Sequence, residues 1–159
     1  MLAHLTLLAL CACCTLSQPS GAYIPLYVEP CGTPASAPGQ FFSTSCASSF
    51  CAFASVQHAG ACIYSPGKDN LLYLAPCNTT DQQQLYSWGG RGEGGFVKGG
   101  GGCWAESATT SPSPAGDVVG LAGCGVAQGK FELLSLPGNL TQIFSNASAM
   151  CIDTAYLRV

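Results

Sequence analysis

The chain has 159 residues, of which 8% are charged, and its formal net charge is -3. A chain of this length can bury a hydrophobic core, so we expect one domain. The scarcity of charge and the lack of a basic cluster argue against nucleic acid as a partner. The 20 Gly and 10 Pro favour short strands and turns over long helices.

Residues 1–22 are predicted to form a secretory signal peptide. Leu2 to Leu16 is apolar but shorter than a membrane span. Ser20-Gly21-Ala22 fits the small-residue cleavage rule, and Ser17 is a second candidate. Because no Lys or Arg precedes the apolar stretch, an uncleaved anchor stays open as the alternative. We expect a secreted, extracellular protein of residues 23–159 with no membrane span in the mature chain.

One six-residue phrase occurs three times in the chain. Leu72 to Cys77 has the sequence Leu-Tyr-Leu-Ala-Pro-Cys, Leu26 to Cys31 matches it at four of six positions, and Val119 to Cys124 is a looser copy. A second series of cysteines alternates with the first, at Cys62, Cys103 and Cys151. Both series advance by roughly 46 residues, which predicts a repeated supersecondary unit.

The apolar segments between turn residues predict short strands. In chain order they are Leu71–Leu74, Leu85–Trp88, Phe96–Val97, Phe131–Leu136 and Leu140–Phe144. The last two flank a Pro-Gly-Asn turn and predict a hairpin. Residues 109–116, which are Ser, Thr, Pro, Ala, Gly, predict a surface loop, and residues 89–102 a Gly-rich one. Since no segment carries a helical apolar stripe of useful length, we expect an all-β chain.

Removal of the signal takes away Cys11, Cys13 and Cys14 and leaves eight cysteines, which in a secreted chain predict four disulfides. The count alone does not fix their pairing. The repeat suggests that Cys62 and Cys103 of the second series each pair with the next cysteine of the first series. Cys31 and Cys151 then have no other partner and pair with each other, and Cys46 and Cys51 close a tight hairpin. The pairs are then Cys62–Cys77, Cys103–Cys124, Cys31–Cys151 and Cys46–Cys51.

Three Asn-x-Ser/Thr sequons fall in predicted loops, at Asn78, Asn139 and Asn146. In a secreted chain they predict N-linked glycans, although any one short sequon also arises by chance.

The repeat resembles that of the ricin B-chain type lectins, a β-trefoil family. The unit of that family opens with a Cys-Leu-Asp segment, continues through a strand to a second cysteine, and then reaches a Gln-x-Trp motif. The matching openings are Cys151-Ile152-Asp153 and, without the aspartate, Cys103-Trp104-Ala105 and Cys62-Ile63-Tyr64. The Gln-x-Trp positions are Gln40-Phe41-Phe42, Gln84-Leu85-Tyr86 and Gly129-Lys130-Phe131, which keep an aromatic but never tryptophan.

The resemblance implies a β-trefoil of three units of about 46 residues, with one unit split between the two ends of residues 23–159. It also implies the same pairing of cysteines within a unit. The rings of the Gln-x-aromatic motifs are expected in the core, with the amides of these motifs bound to backbone, as at Gln84 and Tyr86.

The resemblance further implies one sugar site. A sugar pocket uses a carboxylate for adjacent hydroxyls, an amide to fix the pose, and a ring against the C–H face. In the split unit we assign these roles to Asp153, Gln40 and Tyr27, although Gly39 stands where the family has Asn and Glu29 where it has the stacking aromatic. The structural alternative for Asp153 is a surface turn or a backbone hydrogen bond.

The other two units have lost the aspartate of the motif. In one of them Gln83 and Gln84 are kept but Tyr64 replaces the aspartate; in the other Ala105 replaces it, with Glu106 one position away. We therefore expect a weak carbohydrate-binding module with a glycan partner, such as a galactose-like sugar, and no cofactor.

Two alternatives to a lectin stay open. The missing stacking aromatic favours a trefoil that binds a protein partner, as an inhibitor-like or structural module, because fold does not fix function. A small secreted hydrolase would need two carboxylates about 5–10 Å apart, and no spacing selects such a pair. We expect no enzyme, since the cysteines are used in disulfides and His58, the one mature histidine, fits a loop better than a catalytic base.

Overall fold

The computed structural model describes residues 24–66, 71–89, 96–99, 102–107, 116–124 and 130–154. The predicted signal peptide and its cleavage sites lie outside these residues, as do most of the Gly-rich segment and of the loop over residues 109–116. In the described ranges, regular structure consists of β-strands and two 3-10 helices. The expectation of an all-β chain is therefore confirmed.

The described residues form thirteen strands in one sheet. They are β1 (Ile24–Pro25), β2 (Tyr27–Glu29), β3 (Phe41–Ala47), β4 (Phe50–Ser55), β5 (Ala61–Tyr64), β6 (Tyr73–Pro76), β7 (Tyr86–Gly89), β8 (Phe96–Gly99), β9 (Gly102–Glu106), β10 (Asp117–Ala122), β11 (Phe131–Leu136), β12 (Leu140–Ser145) and β13 (Met150–Asp153). The 3-10 helices Pro38–Gln40 and Gln82–Gln84 precede β3 and β7.

The strands pair antiparallel in the order β1-β6-β5-β4-β3-β12-β13-β2-β10-β9-β8-β7, with β11 on β12. β4 also pairs with β7, where Phe50 lies opposite Ser87 and Cys51 opposite Tyr86. This additional pairing joins two strands that are distant in the sheet order, so the sheet curls back on itself and encloses an apolar interior.

Three strand pairs share one register about their cysteines: β5–β6, β9–β10 and β13–β2, which we call the cysteine-linked strand pairs. The opposed residues are Cys62 with Ala75, Cys103 with Ala122, and Cys151 with Glu29. In each case the disulfide partner lies two residues beyond the opposed residue. The disulfides are Cys62–Cys77, Cys103–Cys124 and Cys31–Cys151, the same pairs that the repeat predicts.

Three buried residues bind one another through their backbones in a closed ring. The N–H of Leu26 donates to the carbonyl of Leu72 at 3.0 Å, that of Leu72 to Val119 at 2.9 Å, and that of Val119 back to Leu26 at 2.9 Å. Each residue opens one copy of the repeated phrase and is fully buried. The repeated phrase therefore marks the place where three segments of the chain meet.

This ring explains a shift in one predicted strand. The strand expected at Leu71–Leu74 is observed at Tyr73–Pro76, and Leu71 lies outside it, in an isolated bridge with Gly120. Leu72 is an apolar residue of the kind found in strands. Its backbone N–H and carbonyl, however, bind Val119 and Leu26 of the ring and not a residue of an adjacent strand in a regular ladder. The other predicted strands lie within one or two residues of β7, β8, β11 and β12.

The core is built around aromatic rings. Trp104, fully buried, packs edge-on against Tyr86 at 4.7 Å between ring centroids and against Phe131 at 6.3 Å. Phe53 lies 5.6 Å from the same indole. Aromatic pairs of this kind stabilise by about 0.5–1.5 kcal/mol each beyond their buried area. The aromatic of each Gln-x-aromatic motif, including Phe42, is thus a core residue.

Candidate functional site

Asp153 and Tyr27 are direct neighbours across the β13–β2 pair. Directly opposed residues of an antiparallel pair have Cβ atoms about 4.5–5.5 Å apart, so the carboxylate and the phenol ring lie on one face of the sheet. Asp153 is 5% exposed and Tyr27 is half-buried. The structure thus brings together two of the three predicted site residues, a carboxylate beside an aromatic ring.

Gln40, the third predicted site residue, ends the 3-10 helix Pro38–Gln40 and is 1% exposed. Its Oε1 accepts from the N–H of Gly32 at 2.8 Å, and its Nε2 donates to the carbonyl of Pro30 at 2.9 Å. Gln142 Nε2 donates to the same Oε1 at 3.0 Å. The amide therefore holds the segment around Cys31 in place, and both of its ends are occupied.

Gln84 has the same role in the next 3-10 helix. Its Oε1 accepts from the N–H of Asn78 at 2.8 Å and its Nε2 donates to the carbonyl of Pro76 at 2.8 Å. Gln40 and Gln84 each bind the residue before a disulfide cysteine and the residue after it. The structural role expected for Gln84 is the observed one, and Gln40 shares it.

A second contact ties β13 to the segment that carries Gln40. Both the N–H and the Oγ1 of Thr154 donate to the carbonyl of Gly39 at 3.0 Å. Gly39, the position of the Asn expected in the family, is therefore buried and contributes its carbonyl to the fold. Glu29, at the position expected for the stacking ring, lies opposite Cys151.

The positions equivalent to Asp153 and Tyr27 differ in the other two cysteine-linked strand pairs. Tyr64 lies opposite Tyr73 in β5–β6, and Ala105 lies opposite Gly120 in β9–β10. Of the three, the β13–β2 pair alone joins a carboxylate to a ring.

Glu106 is one residue beyond Ala105 and is 4% exposed. Its Oε1 accepts from Ser148 Oγ at 2.6 Å, and its Oε2 has no hydrogen-bond partner among the described residues. This carboxylate binds the turn between β12 and β13. Nothing in the sequence marks Ser148 as the partner of Glu106, Gln142 as that of Gln40, or Thr154 as that of Gly39, because each contact joins segments far apart in the chain.

The 3-10 helix Gln82–Gln84 is fixed by Asp81 and Tyr86. Asp81 Oδ1 accepts from the N–H of Gln83 at 2.9 Å, and the hydroxyl of Tyr86 donates to the carbonyl of Gln83 at 2.8 Å. Burial, then the nearby charge of Asp81 and the phenol of Tyr64, raise the pKa of Tyr86 well above its ordinary value near 10. The phenol of Tyr86 is therefore neutral in the folded protein.

The three predicted glycosylation sites lie on the surface. Asn78 Oδ1 accepts from the N–H and the hydroxyl of Thr80, the third residue of its own sequon, and Asn139 has a positive φ of 59° in the β11–β12 turn. Asn146 Nδ2 donates to Glu132 at 2.9 Å. The side chains of Asn78 and Asn146 are thus both hydrogen-bonded, that of Asn78 within its own sequon and that of Asn146 to the neighbouring strand β11.

Within the described part of the chain, no group of three or more His, Cys, Asp or Glu is arranged to hold a metal ion. His58 is half-buried, and its Nε2 has no hydrogen-bond partner among the same residues. No helix in the described ranges is both long and apolar enough to cross a membrane.

No family model and no curated protein matches this sequence.

Proposed function

We propose that this chain is a β-trefoil of the ricin B-chain lectin type that binds carbohydrate at one site, formed by Asp153 and Tyr27. Three groups of observations support the trefoil. The cysteine-linked strand pairs share one register. The backbone ring of Leu26, Leu72 and Val119 repeats one hydrogen bond three times. Gln40 and Gln84 bind their segments in the same way.

The observation that carries the sugar site is the cross-strand pair of Asp153 and Tyr27. A carboxylate accepts charge-assisted hydrogen bonds from two adjacent sugar hydroxyls, and a phenol ring covers the apolar C–H face of the sugar. Gln40 acts as a positioning residue, since its amide fixes the segment that carries Cys31.

Secretion is part of the same proposal. Four disulfides join all eight cysteines between Cys31 and Cys151, and disulfides persist in oxidising compartments. Extracellular glycans are then the available ligands, and a galactose-like sugar is the first candidate. Glycans on Asn78, Asn139 and Asn146 belong to this proposal as well.

The test is binding to a glycan array and to immobilised galactose. We expect the wild type to be retained, and Asp153→Asn, which keeps the shape of the side chain, to bind about tenfold to a hundredfold more weakly. Tyr27→Ala should lose affinity, whereas Tyr73→Ala, at the equivalent position of β5–β6, should not. No retention of the wild type on any glycan, or equal retention of Asp153→Asn, would overturn the sugar site.

A protein-interaction module is the second candidate, and two exposed apolar side chains favour it. Phe50 begins β4 and Val56 follows its last residue; each is 49% exposed, and residues 41–56 carry no charge. Rigid, exposed aromatic side chains are frequent anchors at protein interfaces. If glycans are not bound and a purified protein partner is, Phe50→Ser should abolish that complex while Asp153→Asn leaves it unchanged.

A further inference from the structure

The disulfide Cys46–Cys51 differs from the other three in its place in the fold. It joins two directly opposed residues near the tip of the β3–β4 hairpin, with Cα atoms 4.0 Å apart. In the matching β11–β12 hairpin, counted from the buried Phe at the start of the ladder, the equivalent pair is Ser135 with Thr141. A hairpin of this kind therefore forms in this chain without a disulfide.

The residues of this disulfide differ in burial from those of the other three. Cys46 is exposed and Cys51 is half-buried. Each of the other disulfides contains one cysteine that is almost completely buried. These cysteines are Cys62 at 5%, Cys103 at 1% and Cys151 at 0% exposure.

This difference decides which disulfide an external thiol can open. A thiolate attacks one sulfur along the S–S axis and expels the other as a thiolate. Attack on Cys46 expels Cys51, which packs against the core but is only half-buried. Attack on the exposed Cys31, by contrast, expels Cys151 into the apolar interior, where burial disfavours the charged thiolate and makes it a poor leaving group.

We propose that Cys46–Cys51 is a thiol–disulfide exchange site, and that Cys46 is the sulfur attacked by an external thiol. The first thiolate forms a mixed disulfide with Cys46 and releases Cys51 as a thiolate. A second thiol then attacks the sulfur of the external group, which leaves as an oxidised dimer and frees Cys46. Two electrons pass from two external thiols to the protein disulfide, and the two thiol protons end on Cys46 and Cys51.

The strand pairings around this hairpin remain when the Cys46–Cys51 disulfide is reduced. The β3–β4 ladder contains six opposed pairs, from Phe42 with Ser55 to Ala47 with Phe50. β3 also pairs with β12, and β4 with β5 and β7, so the hairpin stays in the sheet when the bridge is open. Opening loosens only the tip, which carries the exposed Phe50. The site does not depend on sugar binding.

The experiment is differential alkylation of the folded protein in reduced glutathione, with mass spectrometry of the peptides. We expect Cys46 and Cys51 to be alkylated at a glutathione concentration roughly tenfold or more below that which labels the other six cysteines. In samples quenched with acid, glutathione should be found on Cys46 and not on Cys51. Opening of another disulfide first, opening of all four together, or glutathione on Cys51 would overturn the proposal.

The matched control is the double variant Cys46→Ser, Cys51→Ser. We expect it to keep the circular dichroism of the wild type and to show no alkylation in the low range of glutathione. If this variant fails to fold, the disulfide is required by the fold, and the proposal is wrong on that ground. The labelling order in the wild type is a separate measurement and does not depend on any variant.

Discussion

At the scale of single residues, the clearest feature is the use of glutamine as a backbone clamp. Gln40 and Gln84 are buried polar side chains whose amides satisfy two backbone groups on either side of a disulfide cysteine. A buried amide is tolerated only when its donors and acceptor are bound. Glutamine amides can hold a sugar in a lectin site, but the amides of Gln40 and Gln84 are hydrogen-bonded to the backbone of their own chain.

This clamp gives a prediction for Gln84→Ala. The substitution removes the hydrogen bonds to Asn78 and Pro76, and we expect a loss of about 1–3 kcal/mol in the free energy of unfolding in urea. Gln82→Ala, on the exposed side of the same 3-10 helix, is the control and should change the free energy by less than about 0.5 kcal/mol. Equal losses in the two variants would contradict the role given to Gln84.

Tyr86 gives a prediction for alkaline pH. Burial raises its pKa above 10 in the folded protein, whereas in the unfolded chain it ionises near 10. The stability that this neutral phenol contributes is fully present below pH 10 and is lost as the pH rises above it, by up to about 1.4 kcal/mol per pH unit. Urea unfolding at several pH values should show a shallower alkaline slope for Tyr86→Phe than for the wild type. Parallel slopes would show that Tyr86 does not govern the loss.

At the scale of the elements, repetition in the sequence was the useful signal. The repeated phrase and the interleaved cysteines predicted which strands would be joined, because a disulfide needs its two Cα atoms within about 7 Å. Strand edges were less predictable, as Leu72 shows: its backbone bonds are made to segments far away in the chain. Local pattern cannot reveal such a partner.

The candidate site was predictable only in part, for the same reason. The register of β13 on β2 places Asp153 beside Tyr27, and both residues follow from their positions relative to the cysteines of the repeat. The engagement of Gln40 with Gln142 did not follow, since the two residues are 102 positions apart and no motif includes Gln142. Contacts between distant segments decide whether a polar side chain faces a ligand or the fold.

At the scale of the whole molecule, the β13–β2 pair connects early and late parts of the chain. β13 lies between β12 and β2, and the fully buried Ile152 and Cys151 belong to it. The disulfide Cys31–Cys151 spans 120 residues, against 15 for Cys62–Cys77 and 5 for Cys46–Cys51. In the chain-entropy model, a disulfide that closes a longer loop removes more freedom from the unfolded chain.

We therefore expect Cys31→Ser with Cys151→Ser to lower the free energy of unfolding by about 2–5 kcal/mol, more than Cys46→Ser with Cys51→Ser does. Two effects add, because the variant frees the unfolded chain and also weakens the pairing that holds Asp153 beside Tyr27. Urea unfolding with the remaining disulfides intact measures the first, and binding to immobilised galactose measures the second. A loss no greater than that of the variant with Cys46→Ser and Cys51→Ser would mean that the strand pairing of β13 with β2 alone holds the early and late parts of the chain together.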